Sequence, residues 1–110
     1  MTYDDRLAER IRELLDLEPG VSEKRMFGGL AFLIDGNMAV AASGQGGIMV
    51  RVSPDETDGL LARAHASPME MNGRLARGWI RVATEGLRGK RELKSWVDRG
   101  VGYARSLPAK

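Results

Sequence analysis

Few residues of this 110-residue chain have the chemistry of a catalytic or metal-binding group. The absence of cysteine excludes disulfides, thiolate metal sites and cysteine nucleophiles. The single histidine, His65, leaves a histidine-based metal site or catalytic triad incomplete, and it is predicted to lie near the end of a short helix. The carboxylates of Asp55, Glu56 and Asp58 are explained by a helix start, where acidic side chains favour the helix dipole. The sequence therefore predicts no enzyme active site, no metal site and no bound cofactor.

Two glycine-rich segments resemble phosphate-binding loops only in composition. The Gly28-Gly29 pair and residues 43–47 lack the spacing of dinucleotide-binding and Walker motifs, and each precedes a predicted strand instead of a helix. A β-bulge or a close approach of two backbones accounts for the Gly28-Gly29 pair. A hairpin loop accounts for residues 43–47.

Basic residues in the second half of the chain form the clearest candidate binding surface. Arg88, Lys90 and Arg91 fall at or just before the start of the last predicted helix, where cations oppose the helix dipole and cost on the order of a few tenths of a kcal/mol each. A helix start that carries cations beside free backbone N–H groups is a candidate anion site for nucleic-acid phosphates or an acidic protein. The complete candidate set is Arg74, Arg77, Arg81, Arg88, Lys90 and Arg91. The alternative is that Glu85, Glu92 and the acidic first half of the chain neutralise these cations.

Charge is unevenly distributed along the chain. Residues 1–60 contain six Lys or Arg against eleven Asp or Glu, whereas residues 61–110 contain eleven against four. A basic half of this kind can bind nucleic acid. It can equally pair with the acidic half of the same folded chain, or with that of a second copy in a homodimer.

Apolar periodicity predicts the elements that position these residues. A first helix is predicted before Pro19-Gly20, with Thr2 as its N-cap, because apolar side chains recur there every three or four positions. Three strands follow at residues 30–34, 38–42 and 48–52, and Asp35-Gly36 predicts a type I′ turn between the first two.

The second half of the chain repeats this alternation of helix and strand. A short helix is predicted after Ser53-Pro54, and two strands flank the turn signal Asn72-Gly73, with residues 74–78 as a possible extension of that loop. A last helix follows from the apolar stripe between Leu93 and Ala104. The strand methionines, such as Met49 and Met69, are predicted to fill the core, with an adaptable partner surface as the alternative. The whole pattern predicts one α+β domain over residues 1–110, a two-layer fold in the order α-β-β-β-α-β-β-α, with an antiparallel sheet and helices on one side.

The segment Lys24-Arg25-Met26-Phe27-Gly28-Gly29-Leu30-Ala31-Phe32 resembles the N-terminal domain of the TfoX/Sxy family of bacterial competence regulators. The resemblance continues in the same order through residues 35–38, 78–82, 93–97 and 103–108, so it covers nearly the whole chain. It implies a two-layer fold similar to that of secretion chaperones. It also implies a non-enzymatic role in transcription, in which the family's regulators assist a cyclic-AMP receptor protein at competence promoters. The second, helical domain of those regulators has no counterpart within these 110 residues.

The leading prediction is a small interaction module that acts in transcription regulation through protein contacts. It has two predicted partner surfaces. One is the basic start of the last helix, and the other is the motif itself, Lys24, Arg25, Met26, Phe27, Gly28 and Gly29. One alternative is direct, largely non-specific nucleic-acid binding by the basic residues. Another is a small-molecule binder or an enzyme that uses the glycine-rich hairpins.

A cytoplasmic location without membrane association is also predicted. The first five residues are acidic where a signal peptide is basic. The longest apolar stretch, residues 30–34, is far shorter than the ~20 residues that span a bilayer. The cysteine-free composition suits a reducing compartment.

Overall fold

An antiparallel sheet of six strands forms one layer of the structure, a computed structural model that describes residues 3–26 and 28–110. The strands are β1 (Val21–Met26), β2 (Gly29–Ile34), β3 (Asn37–Ala42), β4 (Ile48–Arg51), β5 (Ala66–Met71) and β6 (Arg74–Val82). In space they follow the order β1-β2-β3-β4-β6-β5, and every neighbouring pair is antiparallel. The α-helices of the described residues are α1 (Asp5–Leu14), α2 (Thr57–Leu60) and α3 (Lys90–Ser106). The predicted α+β architecture is confirmed, with one strand more than predicted.

The main core lies between the helices and one face of the sheet. Strand side chains such as Phe32, Val40 and Ile80 are fully buried there together with apolar residues of α1 and α3. The predicted stripe of α3 is confirmed as its buried side, which comprises Leu93, Trp96, Val97, Gly100, Val101 and Ala104. Burying one large apolar side chain contributes roughly 1.5–3 kcal/mol, so this helix-on-sheet packing dominates the stability of the fold.

Helix α1 begins after Asp4. The Asp4 carboxylate oxygen Oδ1 accepts hydrogen bonds from the backbone N–H groups of Arg6 (2.9 Å) and Leu7 (3.2 Å). The prediction of Thr2 as the N-cap is therefore wrong, and Thr2 itself lies outside the described residues. The helix also ends at Leu14, well before Pro19-Gly20, and a turn at residues 15–17 follows it.

Both predicted hairpin turns are confirmed by their backbone angles. Asp35 and Gly36 have φ values of +51° and +86°, and Asn72 and Gly73 have values of +54° and +79°. Positive φ at both central residues is the requirement of a type I′ turn. Strand β6 begins directly after the second turn, so residues 74–78 extend the strand and not the loop.

Strand β1 is the element that the sequence pattern does not reveal. Its residues Val21 to Met26 are mostly exposed and charged, so they show no apolar alternation. The strand lies at the edge of the sheet and pairs only with β2, in a register that sets Glu23 opposite Phe32. Glu23 also ties the strand to α1, because Arg12 donates hydrogen bonds of 2.7 Å and 2.9 Å to its two carboxylate oxygens.

The spacing between α3 and the sheet generates a paired prediction. A β-carbon at Gly100 would collide with the carbonyl oxygen of Ala39, whereas one at the exposed Gly102 would meet nothing within 4 Å. Gly102→Ala is expected to stabilise the protein by about 0.5–1 kcal/mol, because alanine is the better helix former. Gly100→Ala is expected to destabilise it by about 1–3 kcal/mol, because the helix must move off β3. Urea unfolding of both variants measures the difference, and equal effects would contradict the described packing.

The link between Arg12 and Glu23 predicts a pH dependence. The hydrogen bonds from Arg12 lower the pKa of the Glu23 carboxyl below its ordinary value. A carboxyl whose pKa is lowered by folding stabilises the folded state at pH values above the pKa that the same carboxyl has in the unfolded chain. This stabilisation disappears as the pH falls through the pKa of the carboxyl in the folded state. Glu23→Gln is therefore expected to lower the urea midpoint near pH 7, with the difference from the parent protein vanishing between about pH 5 and pH 3. The control is Glu13→Gln on α1; a Glu23→Gln deficit that stays constant down to pH 3 would refute the link.

Candidate functional site

The face of the sheet opposite the helices carries a second apolar cluster. Side chains alternate between the two faces of a strand, so the neighbours of the core residues gather on this side. We call this surface the open face and define it by Met26, Ala31, Leu33, Met38, Ala41, Met49, Met69, Ala76 and Trp79. No helical residue belongs to the cluster within the described part of the chain. Met49 and Met69 are buried as predicted, although they lie in this second cluster and not in the main core, and Met38 is only partly buried.

The centre of the open face is tightly packed, while its periphery is accessible. Ala31 is fully buried and Ala41, Met49 and Met69 are nearly so. The surrounding apolar side chains of the cluster are only partly buried, and they are Met26, Leu33, Met38, Ala76 and Trp79. The surface is therefore a preformed apolar patch in which flexible thioethers predominate among the larger side chains.

A hollow of about 420 Å³ adjoins the methionines at one end of the open face. Its lining residues are Ser43, Gln45, Met49, Met69, Glu70, Asn72 and Arg81. The guanidinium of Arg81 donates a hydrogen bond of 3.4 Å to the Ser43 hydroxyl. The hollow thus combines the apolar side chains of Met49 and Met69 with one cation, Arg81, and one carboxylate, Glu70.

The family-like motif contributes to both faces of the sheet. Lys24 is opposite Ala31, so it lies on the open face beside Met26. Arg25 lies on the helix side, with its guanidinium carbon 6.0 Å from the centre of the Tyr3 ring. Phe27 lies outside the described residues, and nothing is inferred from its position.

The two glycines of the motif serve the backbone. Gly28 has a φ of +73° in the turn between β1 and β2. A β-carbon at Gly29 would collide with the carbonyl oxygen of Ala42, which is the close approach of two backbones expected from the sequence. Neither glycine adjoins the start of a helix, so the arrangement differs from that of a phosphate-binding loop.

The six basic candidate residues do not form one continuous surface. Arg81 lies on the open face, opposite Met49. Arg77 lies on the helix side, where it donates a hydrogen bond of 3.0 Å to the Pro54 carbonyl and approaches Asp58 at 3.7 Å. The two arginines are separated by a bulge at Gly78, which has a φ of +91° and reverses the alternation of side chains along β6. Arg74 is exposed beside the Asn72-Gly73 turn.

The remaining three basic residues lie at the start of α3, where the sequence places them. Arg88 precedes the N-cap residue Gly89, and Lys90 and Arg91 begin the helix; all three cations are exposed. The side chain of Glu92 folds back toward Gly89. Its carboxylate oxygen Oε1 lies so close to Gly89 that a β-carbon at position 89 would collide with it. A carboxylate therefore already lies at the positive end of the helix, as the alternative interpretation of this cluster supposed.

His65 is exposed in the turn that precedes β5, with a φ of +66°, so its predicted place near the end of the second helix is wrong; α2 ends at Leu60. Residues 3–26 and 28–110 contain no group of three or more His, Asp and Glu residues arranged to hold a metal ion. None of the helices in these ranges has the length and apolarity that crossing a bilayer requires.

Comparison with known protein families gives one match. The model of the TfoX N-terminal domain matches residues 13–104, which is most of the chain and includes the open face, the motif and most of α3. Searches of curated proteins and of solved structures returned no match. The extent of the family match identifies this chain as a member of the TfoX N-terminal domain family.

Proposed function

We propose that this chain is a small cytoplasmic, non-enzymatic module that acts in transcription regulation by binding another protein. The open face is the observation that carries the proposal. Apolar patches that remain accessible in a folded domain commonly mark interaction surfaces, and methionine side chains adapt to the shape of a partner. The transcription context is supported by membership of the TfoX N-terminal domain family, whose regulators the motif resembles.

The position of the motif supports the same function. Lys24 and Met26 lie on the open face, so part of the family-like motif belongs to the surface that carries the apolar patch. A surface of this kind presents apolar contact area at its centre and a cation at its edge. This combination is typical of protein interfaces, in which a polar rim surrounds an apolar core.

A second candidate function is direct nucleic-acid binding at the start of α3. The exposed cations of Arg88, Lys90 and Arg91 favour it. Two observations weigh against it: Glu92 lies against this helix start, and Arg77 is already paired with Asp58 on the same side of the sheet.

In-cell photocrosslinking tests the protein-binding function. A photoreactive phenylalanine analogue at Lys24 is expected to crosslink to a component of the transcription machinery, identified by mass spectrometry. The control places the same analogue at Asp98, an exposed residue of α3 in the opposite layer, where no such adduct is expected. Adducts with nucleic acid alone, with proteins unrelated to transcription, or equally from both positions would each contradict the proposal.

Charge reversal tests the nucleic-acid alternative. If protein binding is the function, the double variant Arg88→Glu, Arg91→Glu retains a labelled DNA duplex on a filter at low salt no less than the parent protein does. Binding to phosphates would instead make retention fall steeply with salt, and the variant would show a salt slope smaller by about one for each phosphate that it no longer neutralises. A decrease in retention of about tenfold or more in the variant would establish the alternative.

A further inference from the structure

The hollow beside the open face surrounds a space of about 420 Å³ with opposite charges and apolar side chains. Arg81 is its cation and Glu70 its carboxylate, and Met49 and Met69 supply apolar surface. Within the described part of the chain, neither Arg81 nor Glu70 forms an ion pair. Small-molecule sites typically have volumes of roughly 300–1,000 Å³, so the hollow is large enough for a ligand that meets both charges.

The two methionines limit the apolar part of such a ligand. Met49 is 5% exposed and Met69 is 7% exposed, because both pack into the second cluster. A ligand can therefore contact only the outer edge of each side chain. Thioethers are polarisable and adapt to irregular shapes, which suits contact with a short apolar group. A long hydrocarbon chain would find too little apolar surface in the hollow.

The glycine-rich loop at residues 43–47 forms one side of the hollow and is held in place by its backbone. The Ser43 N–H group donates a hydrogen bond of 3.0 Å to the Gly47 carbonyl, and the Ser43 carbonyl accepts one of 3.1 Å from the Gly46 N–H group. A β-carbon at Gly47 would collide with the carbonyl oxygen of Val82, so the loop lies directly against β6. The polar side of the hollow is therefore formed before a ligand arrives, which lowers the entropic cost of binding.

The Ser43 hydroxyl is buried beside the Arg81 guanidinium. Its oxygen accepts hydrogen bonds from the Gln45 N–H group (3.1 Å) and from Arg81 (3.4 Å). Its own O–H group donates to no acceptor within the described part of the chain. A guanidinium has several N–H donors, and that of Arg81 uses one of them in a single long hydrogen bond. The hydroxyl and the guanidinium can therefore both donate to a carboxylate placed in the hollow.

The charges of the lining select among classes of small molecule. A phosphate or another polyanion would meet one cation, Arg81, and the repulsion of Glu70. A purely apolar molecule would cover the polar groups of Ser43 and Asn72 without replacing their hydrogen bonds to water, which costs free energy. A zwitterion with an ammonium, a carboxylate and a short apolar group offers a complement to every kind of group in the hollow.

We propose that the hollow binds a free amino acid with a short apolar side chain. Its carboxylate accepts hydrogen bonds from Arg81 and the Ser43 hydroxyl, and its ammonium pairs with the carboxylate of Glu70. Its side chain contacts the exposed edges of Met49 and Met69. The glycine-rich loop then serves to hold the hydroxyl beside the cation. This inference concerns a small ligand, so it goes beyond the proposed protein-binding function and does not depend on it.

Titration of the ¹⁵N-labelled protein with free leucine, valine and methionine tests the inference by NMR. At least one of the three is expected to shift the amide signals of Ser43, Gln45 and Arg81 in a saturable way, while the amide of the exposed Gly102 on α3 stays unchanged. Two derivatives of the amino acid that binds serve as controls. Its amide lacks the carboxylate and its N-acetyl form lacks the ammonium, and each is expected to bind about tenfold or more weakly, because each loses one charged contact.

Two substitutions assign the charged contacts. Arg81→Gln is expected to remove the preference for the free amino acid over its amide, because the partner of the carboxylate is lost. Glu70→Gln is expected to remove the preference over the N-acetyl form, because the partner of the ammonium is lost. The control Lys94→Gln removes an exposed cation of α3 and is expected to leave all three affinities unchanged. The dispersion of the NMR signals verifies that each variant is folded.

Several results would overturn the inference. They are the absence of saturable shifts with all three amino acids, equal binding of the free amino acid and its two derivatives, and an unchanged preference in the Arg81→Gln or Glu70→Gln variant. Tighter binding of inorganic phosphate at the same amides would also overturn it. None of these results bears on the proposed protein-binding function, which is measured separately by the crosslink from Lys24.

Discussion

The close packing of α3 on β3 is the contact on which the rest of the structure depends. Only a glycine fits at position 100, because any β-carbon would collide with the Ala39 carbonyl. This contact lets the long, one-sided stripe of α3 cover the centre of the sheet, and α1 completes the same layer. With the described helices on one side, the other face is left to side chains of the strands alone. The open face is therefore a consequence of how the core is built.

Much of the fold is predictable because its signals are local. Asp35-Gly36 and Asn72-Gly73 specify their turns through backbone angles that few other residue pairs adopt. The stripe between Leu93 and Ala104 specifies the buried side of α3 through its spacing. Strand β1 was not predictable in this way. It lies at the edge of the sheet and is held by backbone pairing with β2 and by hydrogen bonds from Arg12. Neither kind of contact requires alternating apolar residues in the sequence.

The candidate surfaces were less predictable because they depend on contacts between distant residues. Alternation along β6 suggests that Arg77 and Arg81 share a face, but the Gly78 bulge separates them. That bulge is fixed from outside the strand, since Gly78 donates a hydrogen bond of 2.9 Å to Thr57 and accepts one of 2.8 Å from the Val52 N–H group. The open face has a similar cause: methionine and alanine residues on strands suit either face, and only the register shows that they form a second cluster.

The composition of the open face also affects the entropy of any association. Alanine has no side-chain rotamers to lose, whereas an exposed long side chain gives up on the order of 1.5–2 kcal/mol when it is ordered. Met49 is already buried, so its conformational freedom is largely spent in folding. The centre of the open face is thus ordered before it meets a partner, whereas the partly buried Met26 and Met38 at its periphery keep conformational freedom. Part of the entropic cost of forming a complex would therefore fall on these peripheral methionines and not only on the partner.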